Sequence, residues 1–428
     1  MKNLVMITSH FPFGTGEPFI ESEMSVISGN FEKIIIISQD IKGAQTRSIP
    51  ANSKIYRYNT STDFQGFLNL PFLITGNFSV ITRLYRDEVR FRKSVSFNLS
   101  LRQKLFLVRK ILKALQLRDY IKKILDREIP GERSLLYSYW FKTGAHAIAL
   151  LQKPGSVKIA RAHGSDLYEE SSPAGYIPLQ KSAAEGLNAL FFVSEHGKDY
   201  FEKKFGKISG KLLLSRLGAE RSDDTTMPEY LPGEEFIIVS CSYLIALKRI
   251  DLLIRSLALT KAGGKIKWIH FGDGEMKGKL TALAAELLSP DNKIKWEFRG
   301  HVPNTEILDF YASGKVGLFI NTSYSEGIPV SIMEAQSFGI PVIATDTGGV
   351  REIIAKGTGT LINVDFAPAE LAGLIDHYAG LPDSEMEKIR RNAFNNWKKN
   401  FNARSNYLDF LNQLNSILET CNNSPEDK

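Results

Sequence analysis

The sequence alternates short, very apolar runs with longer segments of helical period, and it does so twice. Six such runs lie in the first half: Leu4–Thr8, Lys33–Ser38, Ser134–Ser138, Val157–Arg161, Ala189–Val193 and Lys211–Ser215. Six more lie in the second half: Phe236–Ser240, Ile266–Phe271, Lys295–Arg299, Val316–Asn321, Pro341–Thr345 and Thr360–Asn363. Strands this apolar are typical of parallel sheets that helices cover on both faces. The pattern predicts an α/β chain with two doubly wound, Rossmann-like domains.

A segment without periodicity separates the two sets of runs. Residues 217–235 contain two prolines, several acids and no recurring apolar positions, which is typical of a linker. We therefore place one domain at residues 1–216, a second at 217–382, and C-terminal helices at 383–428 that are expected to pack back toward the first domain. Ligands of such sheets bind outside the carboxyl ends of the strands, so we expect the active site in a cleft that the two domains face.

Composition excludes several other classes of protein. With 43% hydrophobic and 24% charged residues, the chain is too apolar for disorder and too polar for an integral membrane protein. Its two cysteines, Cys241 and Cys421, lack metal-ligand spacing, which favours a reducing compartment. The first residues are typical of a buried strand rather than of a signal peptide. These features predict a cytoplasmic protein.

Two glutamates flank a predicted helix start in the second half. Glu326 lies in the loop after the run Val316–Asn321, and Glu334 lies about two turns into the next helix. A rise of 1.5 Å per residue separates them by roughly 10–12 Å, about the span from the sugar to the ribose of a nucleotide sugar. The free N–H groups at the helix start suit a phosphate, and Gly327 lets a ligand approach the backbone. A helix cap and a solvated helix residue would produce the same spacing.

The thirty residues from this pair onward carry a more specific signal. They resemble the family 4 retaining glycosyltransferases of the GT-B fold, of the bacterial surface polysaccharide biosynthesis type, in Glu326, Glu334, Ala335, Gly339, Pro341, Val342, Ile343, Ala344, Gly348, Gly349 and Glu352. The resemblance implies that Glu326 contacts the hydroxyls of the donor sugar and Glu334 those of the ribose. It also implies that the sugar and phosphates lie against the backbone of Gly327, Ile328, Pro329 and Val330.

The same resemblance assigns further residues to the donor. Lys248 follows the first strand of the second domain, where a cation would neutralise the departing diphosphate. Similar enzymes carry an arginine five residues earlier, where this chain has Tyr243, and Arg249 is a candidate to replace it. Gly272 lies in the turn His270–Glu275 near the nucleotide, and the glycine spacing there does not fit a dinucleotide fingerprint.

Two stretches of the first domain are also candidates. Gly14 and Gly16 follow the first strand and open a helix, so their backbone suits a phosphate or sugar of the donor. His163 follows the run Val157–Arg161, and in similar enzymes a histidine here touches the transferred sugar near the reacting carbon. Asp166 would order this loop or meet the acceptor.

The resemblance implies that the anomeric configuration is retained through front-face attack, with no covalent nucleophile. The sequence contains no Asp-x-Asp, so we expect neither metal nor cofactor, with the nucleotide sugar as co-substrate. The expected activity is hexosyl transfer from a nucleotide-diphosphate donor to a saccharide acceptor, in polysaccharide or glycolipid assembly.

One segment makes the chain basic. Residues 83–123 contain 13 Lys or Arg and three acids, within a chain of net charge +7. Together with the aromatic stretch Phe64–Leu73, this is typical of a surface that rests on an anionic membrane. A lipid-linked acceptor and a peripheral location on the inner face of the cell membrane would follow. A helix packed on the first sheet with a solvated basic face is the alternative. No nucleic-acid module accompanies the charge, so we expect no nucleic-acid partner.

Two other functions remain open. A nucleotide-sugar 2-epimerase shares the two-domain fold, but the sequence shows no convincing acids to move the proton at the second carbon of the sugar. A catalytically silent sugar-nucleotide-binding protein is the other, and the presence of Lys248, Glu326, Glu334 and His163 argues against it. The identities of the sugar, base and acceptor, and the oligomeric state, stay open.

Overall fold

The chain folds into two compact units. A computed structural model describes residues 2–14, 16–40, 42–59, 70–221, 225–262, 265–289 and 294–422. The first unit comprises residues 1–215 together with 407–428, and the second comprises residues 216–406.

The first unit is built on a seven-stranded parallel sheet. Its strands are β1 Asn3–Thr8, β2 Lys33–Ser38, β3 Ser53–Arg57, β4 Ser134–Ser138, β5 Ser156–Ala162, β6 Ala189–Phe192 and β7 Lys211–Leu214. The order β3-β2-β1-β4-β5-β6-β7 places the first strand inside the sheet, and the chain winds outward to both edges. All six predicted strands are confirmed, and the edge strand β3 is an addition.

Helices cover both faces of this sheet. They are α1 Pro18–Ile27, α2 Leu70–Gly76, α3 Phe78–Ser94, α4 Leu101–Glu128, α5 Thr143–Leu150, α6 Gln180–Glu185 and α7 Glu195–Phe205. Because side chains alternate along a strand, those of β1 contribute to two hydrophobic cores, one on each face of the sheet. Val5 and Ile7 pack with α4 and α5, whereas Leu4 and Met6 pack with α1 and the C-terminal helix.

The second unit repeats the architecture with six parallel strands in the order β10-β9-β8-β11-β12-β13. They are β8 Glu235–Cys241, β9 Lys265–Phe271, β10 Ile294–Gly300, β11 Val316–Asn321, β12 Val342–Thr345 and β13 Gly359–Ile362. The remaining helices are α8 Ile250–Ala258, α9 Lys277–Leu288, α10 Asn304–Ala312, α11 Val330–Ser337, α12 Val350–Ile353, α13 Pro368–Ala379, α14 Asp383–Asn400 and α15 Ala403–Asn422. In the described part of the chain, none of the helices has both the length and the apolar character needed to span a bilayer.

The C-terminal region does not behave as one segment, which corrects the expected boundary at residue 382. Arg390 of α14 is fully buried and donates hydrogen bonds to the carbonyl oxygens of Val316 and Phe338, both at 3.2 Å. These bonds fix α14 in the second unit. From Tyr407 onward the chain belongs to the first unit, where Phe410 of α15 packs in the core beside α1.

Candidate functional site

An ion pair between Lys248 and Glu326 lies at the carboxyl edge of the second sheet. Lys248 ends the short 3-10 turn Ala246–Lys248 after β8, and its Nζ lies 2.6 Å from Oε1 of Glu326 in the loop after β11. Asn321 Nδ2 donates to the same oxygen at 3.2 Å. The two side chains are only 18% and 11% exposed, and exclusion of water strengthens their attraction. The structure therefore brings together two residues that the sequence assigned to different parts of the donor.

Two glycines, Gly348 and Gly349, pack against the loop that carries Glu326. Gly348 has φ +55°, and a Cβ atom there would overlap the carbonyl oxygen of Glu326. Gly349 N donates to Gly327 O at 2.7 Å, and Thr347 Oγ1 donates to Tyr324 O at 3.0 Å. The Gly-Gly pair of the sequence motif therefore positions the loop that carries Glu326.

Helix α11 starts directly after this loop. Pro329 is its N-cap residue, with extended backbone angles, and Val330 is its first residue. No side chain caps the helix, so its first N–H groups and the positive end of its dipole stay available for an anion. Gly327 and Ile328 lead into this turn.

Glu334 is the fifth residue of α11, rather than two turns into the helix, and its carboxyl group is half-buried. Burial raises the pKa of Glu334 to about 7, and the hydrogen bond from Asn304 Nδ2 at 2.9 Å offsets only part of this rise. Burial, together with the nearby Glu334, raises the pKa of the Cys241 thiol to about 12. Hydroxyl groups of a ligand that donate to Glu334 would favour its charged form.

Arg249 is not positioned as the second phosphate-binding cation. Its backbone is left-handed, with φ +49°, and its guanidinium turns inward. Nε donates to Thr322 O at 2.8 Å and Nη1 donates to Val364 O at 2.6 Å. The arginine therefore ties the loops after β11 and β13 together. Tyr243 at the usual arginine position is 66% exposed.

Gly272 has a packing role that its residue type explains. With φ +133°, it lies against the loop after β8, and a Cβ atom would overlap the carbonyl oxygen of Ser242. The imidazole of His270 is buried beside it and contacts Ser240 Oγ at 2.8 Å and Ser242 O at 3.1 Å. Gly272 thus sets the position of the chain segment that leads to Lys248.

His163 and Asp166 lie at the carboxyl edge of the first sheet, after β5. The Asp166 carboxylate is 1% exposed and accepts hydrogen bonds from the backbone N–H groups of His163 at 2.6 Å and Phe141 at 2.8 Å. Burial would raise the pKa of Asp166, but the interactions with His163 and the charge of Lys142 hold it below its usual value. The geometry therefore favours the loop-ordering role of Asp166.

The imidazole of His163 sits in an aromatic cage. Its ring centroid lies 4.3 Å from that of Trp140, 5.1 Å from Tyr139 and 6.5 Å from Phe19. Nδ1 lies 3.6 Å from Oδ2 of Asp166, and neither ring nitrogen has a hydrogen-bond partner among the residues that the structure describes. A buried imidazole without a partner is unusual in a purely structural position.

The glycine loop after β1 is occupied by the chain's own carboxylate, which sequence reasoning missed. Glu17 accepts hydrogen bonds from the backbone N–H groups of three consecutive residues: Ser9 at 3.1 Å, His10 at 2.7 Å and Phe11 at 2.6 Å. Trp140 Nε1 also donates to it. Gly14 N donates to Ala44 O at 3.0 Å, and Gly16 packs on His10. Gly14 and Gly16 therefore belong to a loop in which the N–H groups that could bind an anion already donate to Glu17.

The basic segment forms parts of α3 and α4. The inner face of α4 is buried in the first unit through residues such as Leu107, Ile111 and Leu115. Large apolar side chains are exposed at the start of α4 and in α2 and α3. Their exposed fractions are 79% for Phe72, 66% for Phe78, 74% for Leu101 and 63% for Leu105. Residues 61–69, which include most of the predicted aromatic stretch, lie outside the described residues. The helix packs on the unit and presents an apolar, cationic outer face.

Across the described ranges, no group of three His, Cys, Asp or Glu side chains is arranged to hold a metal ion.

Two doubly wound parallel sheets are the architecture of GT-B glycosyltransferases, and solved structures confirm this prediction. Sucrose-phosphate synthase from Thermosynechococcus elongatus aligns with a TM-score of 0.71 at 15% identity, over 98% of this chain and 100% of that one. HepE from Anabaena, in complex with UDP-glucose, aligns with a TM-score of 0.62 at 15% identity, over 97% and 100%. At this identity the likeness shows the fold alone.

Residues 223–396 match the sequence model described as "Glycosyl transferases group 1". The putative teichuronic acid biosynthesis glycosyltransferase TuaC of Bacillus subtilis (strain 168) is 27% identical over 253 residues, 57% of this chain and 61% of the relative. The putative colanic acid biosynthesis glycosyltransferase WcaL of Salmonella typhimurium is 26% identical over 264 residues, 60% and 63%. The chain spans about three fifths of the length of these relatives. The family match confirms the resemblance that starts at Glu326.

Proposed function

We propose that the chain is a retaining glycosyltransferase that moves a hexosyl group from a nucleotide-diphosphate sugar to a saccharide acceptor. The observation that carries the proposal is the Lys248–Glu326 pair beside the uncapped start of α11. Relatives named for teichuronic and colanic acid biosynthesis support a role in polysaccharide assembly. The complex of HepE with UDP-glucose supports a nucleotide sugar as the donor class.

Lys248 and α11 serve the departing diphosphate in this proposal. The ammonium group has three N–H donors, and Glu326 uses one of them. The others are free for a diphosphate oxygen, as are the first N–H groups of α11. Negative charge develops on that oxygen as the glycosidic bond breaks, so these donors stabilise the transition state more than the ground state.

Glu326 and Glu334 serve the two ends of the donor. Glu326 accepts hydrogen bonds from the sugar hydroxyls while Lys248 and Asn321 keep its carboxylate oriented. Glu334 accepts hydrogen bonds from the ribose hydroxyls, and the backbone of Gly327–Val330 approaches the sugar and phosphates. In the first unit, His163 is assigned to the transferred sugar, and Asp166 fixes the backbone of its loop.

Retention follows from attack on the face that the diphosphate leaves. The bond from the anomeric carbon to the diphosphate oxygen breaks, and its electron pair stays on that oxygen. The acceptor hydroxyl oxygen bonds to the same face of the carbon, and its proton passes to the departing diphosphate. Neither a protein nucleophile nor a metal or cofactor takes part in this scheme.

The acceptor is proposed to be lipid-linked, with the chain peripheral on the inner face of the cell membrane. The exposed apolar side chains Leu101 and Leu105 lie in the segment rich in Lys and Arg, and Phe72 and Phe78 precede it. Each Lys or Arg near an anionic surface contributes about 1 kcal/mol, so several would keep the chain at the membrane.

Incubation of the protein with a panel of nucleotide sugars and saccharide acceptors, with and without a metal chelator, tests the proposal. A free nucleoside diphosphate plus a glycosylated acceptor, unaffected by the chelator, is the expected result. A 2-epimer of the donor would instead indicate isomerisation, and binding without turnover would indicate a silent module. Loss of transfer on chelation would contradict the metal-independent scheme.

A further inference from the structure

A cavity of about 640 Å³ lies in the first unit, and none of the residues assigned to the donor or to the transferred sugar lines it. Its walls come from α3, α4, the end of α5, the end of α6 and the start of β5. Lys158 is the third residue of β5, and His163 follows the other end of this strand. Five residues of strand span about 16 Å, so the cavity belongs to the amino edge of the sheet. Its volume is that of a small-molecule site.

Lys158 is the unusual side chain on the cavity wall. Its strand neighbours Val157 and Ile159 point into the core on the opposite face of the sheet. The Lys158 side chain is half-buried, and its ammonium group has no ion pair or hydrogen bond among the described residues. Burial lowers the pKa of Lys158. A half-buried cation without a partner costs stability, and a bound anion would remove that cost.

Two more cations line the same cavity. Arg83 of α3 and Lys122 of α4 are exposed and form no ion pair in the described part of the chain. Arg118 also lines it, but Asp119 neutralises this arginine at 2.6 Å. Three unpaired cations therefore remain.

The acidic side chains of the cavity do not cancel these charges. Asp87 and Glu185 line it as well, and water screens these exposed acids as it screens the exposed Arg83 and Lys122, so the half-buried Lys158 is the least screened of the unpaired charges. The inner wall of the cavity is positive.

Aliphatic side chains complete the site. Leu84, Leu150 and Leu151 line the cavity beside the cations, and a purely ionic site would not need them. We propose that this cavity binds an anionic ligand through a phosphate group. Lys158 is the inner contact, Arg83 and Lys122 lie at the mouth, and the leucines contact an aliphatic portion. The site is independent of the proposed glycosyl transfer, so either inference can fail without the other.

The phosphate belongs either to free phosphate or to a phospholipid-like amphiphile, and calorimetric titration of the full chain separates these sources. The probes are inorganic phosphate and dihexanoyl phosphatidic acid below its micelle concentration. We expect binding of at least one probe, weakened at least tenfold in Lys158→Gln. The control Lys203→Gln, which removes an exposed lysine of α7, should bind within twofold of the wild type. Binding of phosphatidic acid alone identifies the amphiphile, and equal binding of both identifies free phosphate.

Two results would overturn the proposal. One is that neither probe binds, and the other is that Lys158→Gln and Lys203→Gln weaken probe binding equally. Thermal unfolding of Lys158→Met without ligand supplies a second check. Because this variant removes an unpaired, half-buried ammonium group, it should melt no lower than the wild type. A lower melting temperature would assign Lys158 to the fold and count against the site.

Discussion

At the scale of single residues, the proposed donor site depends on charges in half-buried positions. Lys248 and Glu326 neutralise each other at 2.6 Å, and Glu334 has a pKa of about 7 because burial opposes its charge. Each of these groups has hydrogen-bonding capacity that the chain leaves for a ligand. A nucleotide sugar offers hydroxyl donors for the two carboxylates and phosphate acceptors for the lysine.

Loss of the Lys248 ammonium group should abolish most of the transfer. In Lys248→Met the departing diphosphate loses its cation and Glu326 keeps an unpaired charge, so we expect kcat to fall by about 10²–10³-fold, the size measured for lost transition-state donors. The matched control is Lys295→Met, which breaks a 2.7 Å pair with Glu235 at the starting edge of the same sheet. Steady-state kinetics of both variants make the comparison. Similar kcat values for the two would show that Lys248 has no catalytic role.

Glu334 should make stability depend on pH. Its folded pKa of about 7 lies above the ordinary 4.5, so the folded state binds the proton more tightly than the unfolded state. The resulting stability is present below pH 4.5 and is lost as the pH rises through 7. Because Glu334→Gln cannot titrate, its melting temperature relative to the wild type should rise by about 2–4 °C between pH 5 and 8. A difference in melting temperature between Glu334→Gln and the wild type that stays constant from pH 5 to 8 would contradict the assignment. The control is Glu370→Gln, which replaces an exposed glutamate.

The contacts of two residues near the candidate site were not predictable from the sequence. Arg249 was a candidate for the phosphate because a cation is chemically suitable, but its left-handed backbone turns the guanidinium toward two carbonyl groups. Glu17 was passed over, although its carboxylate binds three backbone N–H groups after β1. Such roles depend on which loops meet in three dimensions, and sequence spacing does not contain that information.

At the scale of elements, loops that pack on one another hold the functional side chains. The segment 347–349 supports the Glu326 loop, and Gly272 supports the segment that leads to Lys248. Both contacts need a residue without a Cβ atom at a positive φ. The rigid parallel sheet supplies a fixed edge from which these loops start.

Addition of one methyl group at Gly348 should therefore impair transfer. In Gly348→Ala the Cβ atom would overlap the Glu326 carbonyl oxygen, so the loop must move and Glu326 loses its alignment with Lys248. We expect kcat/KM to fall at least tenfold. Gly373→Ala is the control, because this helical glycine has open space around its missing Cβ and should be neutral or slightly stabilising. Equal activity of both variants would remove the positioning role of Gly348.

A buried ionic cluster holds α3 against the segment that follows Asp166. Arg92 pairs with Glu88 and Glu169, both at 2.8 Å, and donates to Ile177 O at 3.0 Å. Arg92→Met leaves the buried Glu88 without its cation and Glu169 with Lys204 alone, so we expect a loss of ~3–5 kcal/mol in the free energy of unfolding. Denaturant titration checks this value. Lys2→Met, which breaks an exposed pair with Glu32, should cost ~1 kcal/mol or less, and a similar loss for both would contradict the account.

Most elements followed from apolar patterning, and the exceptions have physical reasons. A run such as Ile34–Ile37 is predictable because both faces of an inner parallel strand are buried. The strand Ser53–Arg57 escaped prediction because an edge strand is half-exposed and tolerates charge. The tail from Asp383 reads as one helical region, and only the burial of Arg390 reveals where α14 belongs.

At the scale of the whole molecule, the exposed apolar side chains at the start of α4 should mediate membrane binding. Leu101→Ser combined with Leu105→Ser removes apolar area without changing the charge. We expect the wild type to float with liposomes that contain anionic lipid, and the double variant to lose most of this binding. Leu408→Ser, on exposed Leu408 of α15, is the control. Absence of wild-type flotation with both anionic and neutral liposomes would remove the membrane proposal.

The central claim is that this chain transfers a sugar from a nucleotide-diphosphate donor with retention, and that Lys248 and Glu326 hold the donor. NMR of the glycosylated product, formed by the wild type and by Glu326→Gln from the donor that turns over, tests it most directly. We predict a product linkage with the anomeric configuration of the donor, formed at least tenfold more slowly by the variant. An inverted linkage, an epimerised donor, or undiminished turnover by Glu326→Gln would contradict the account.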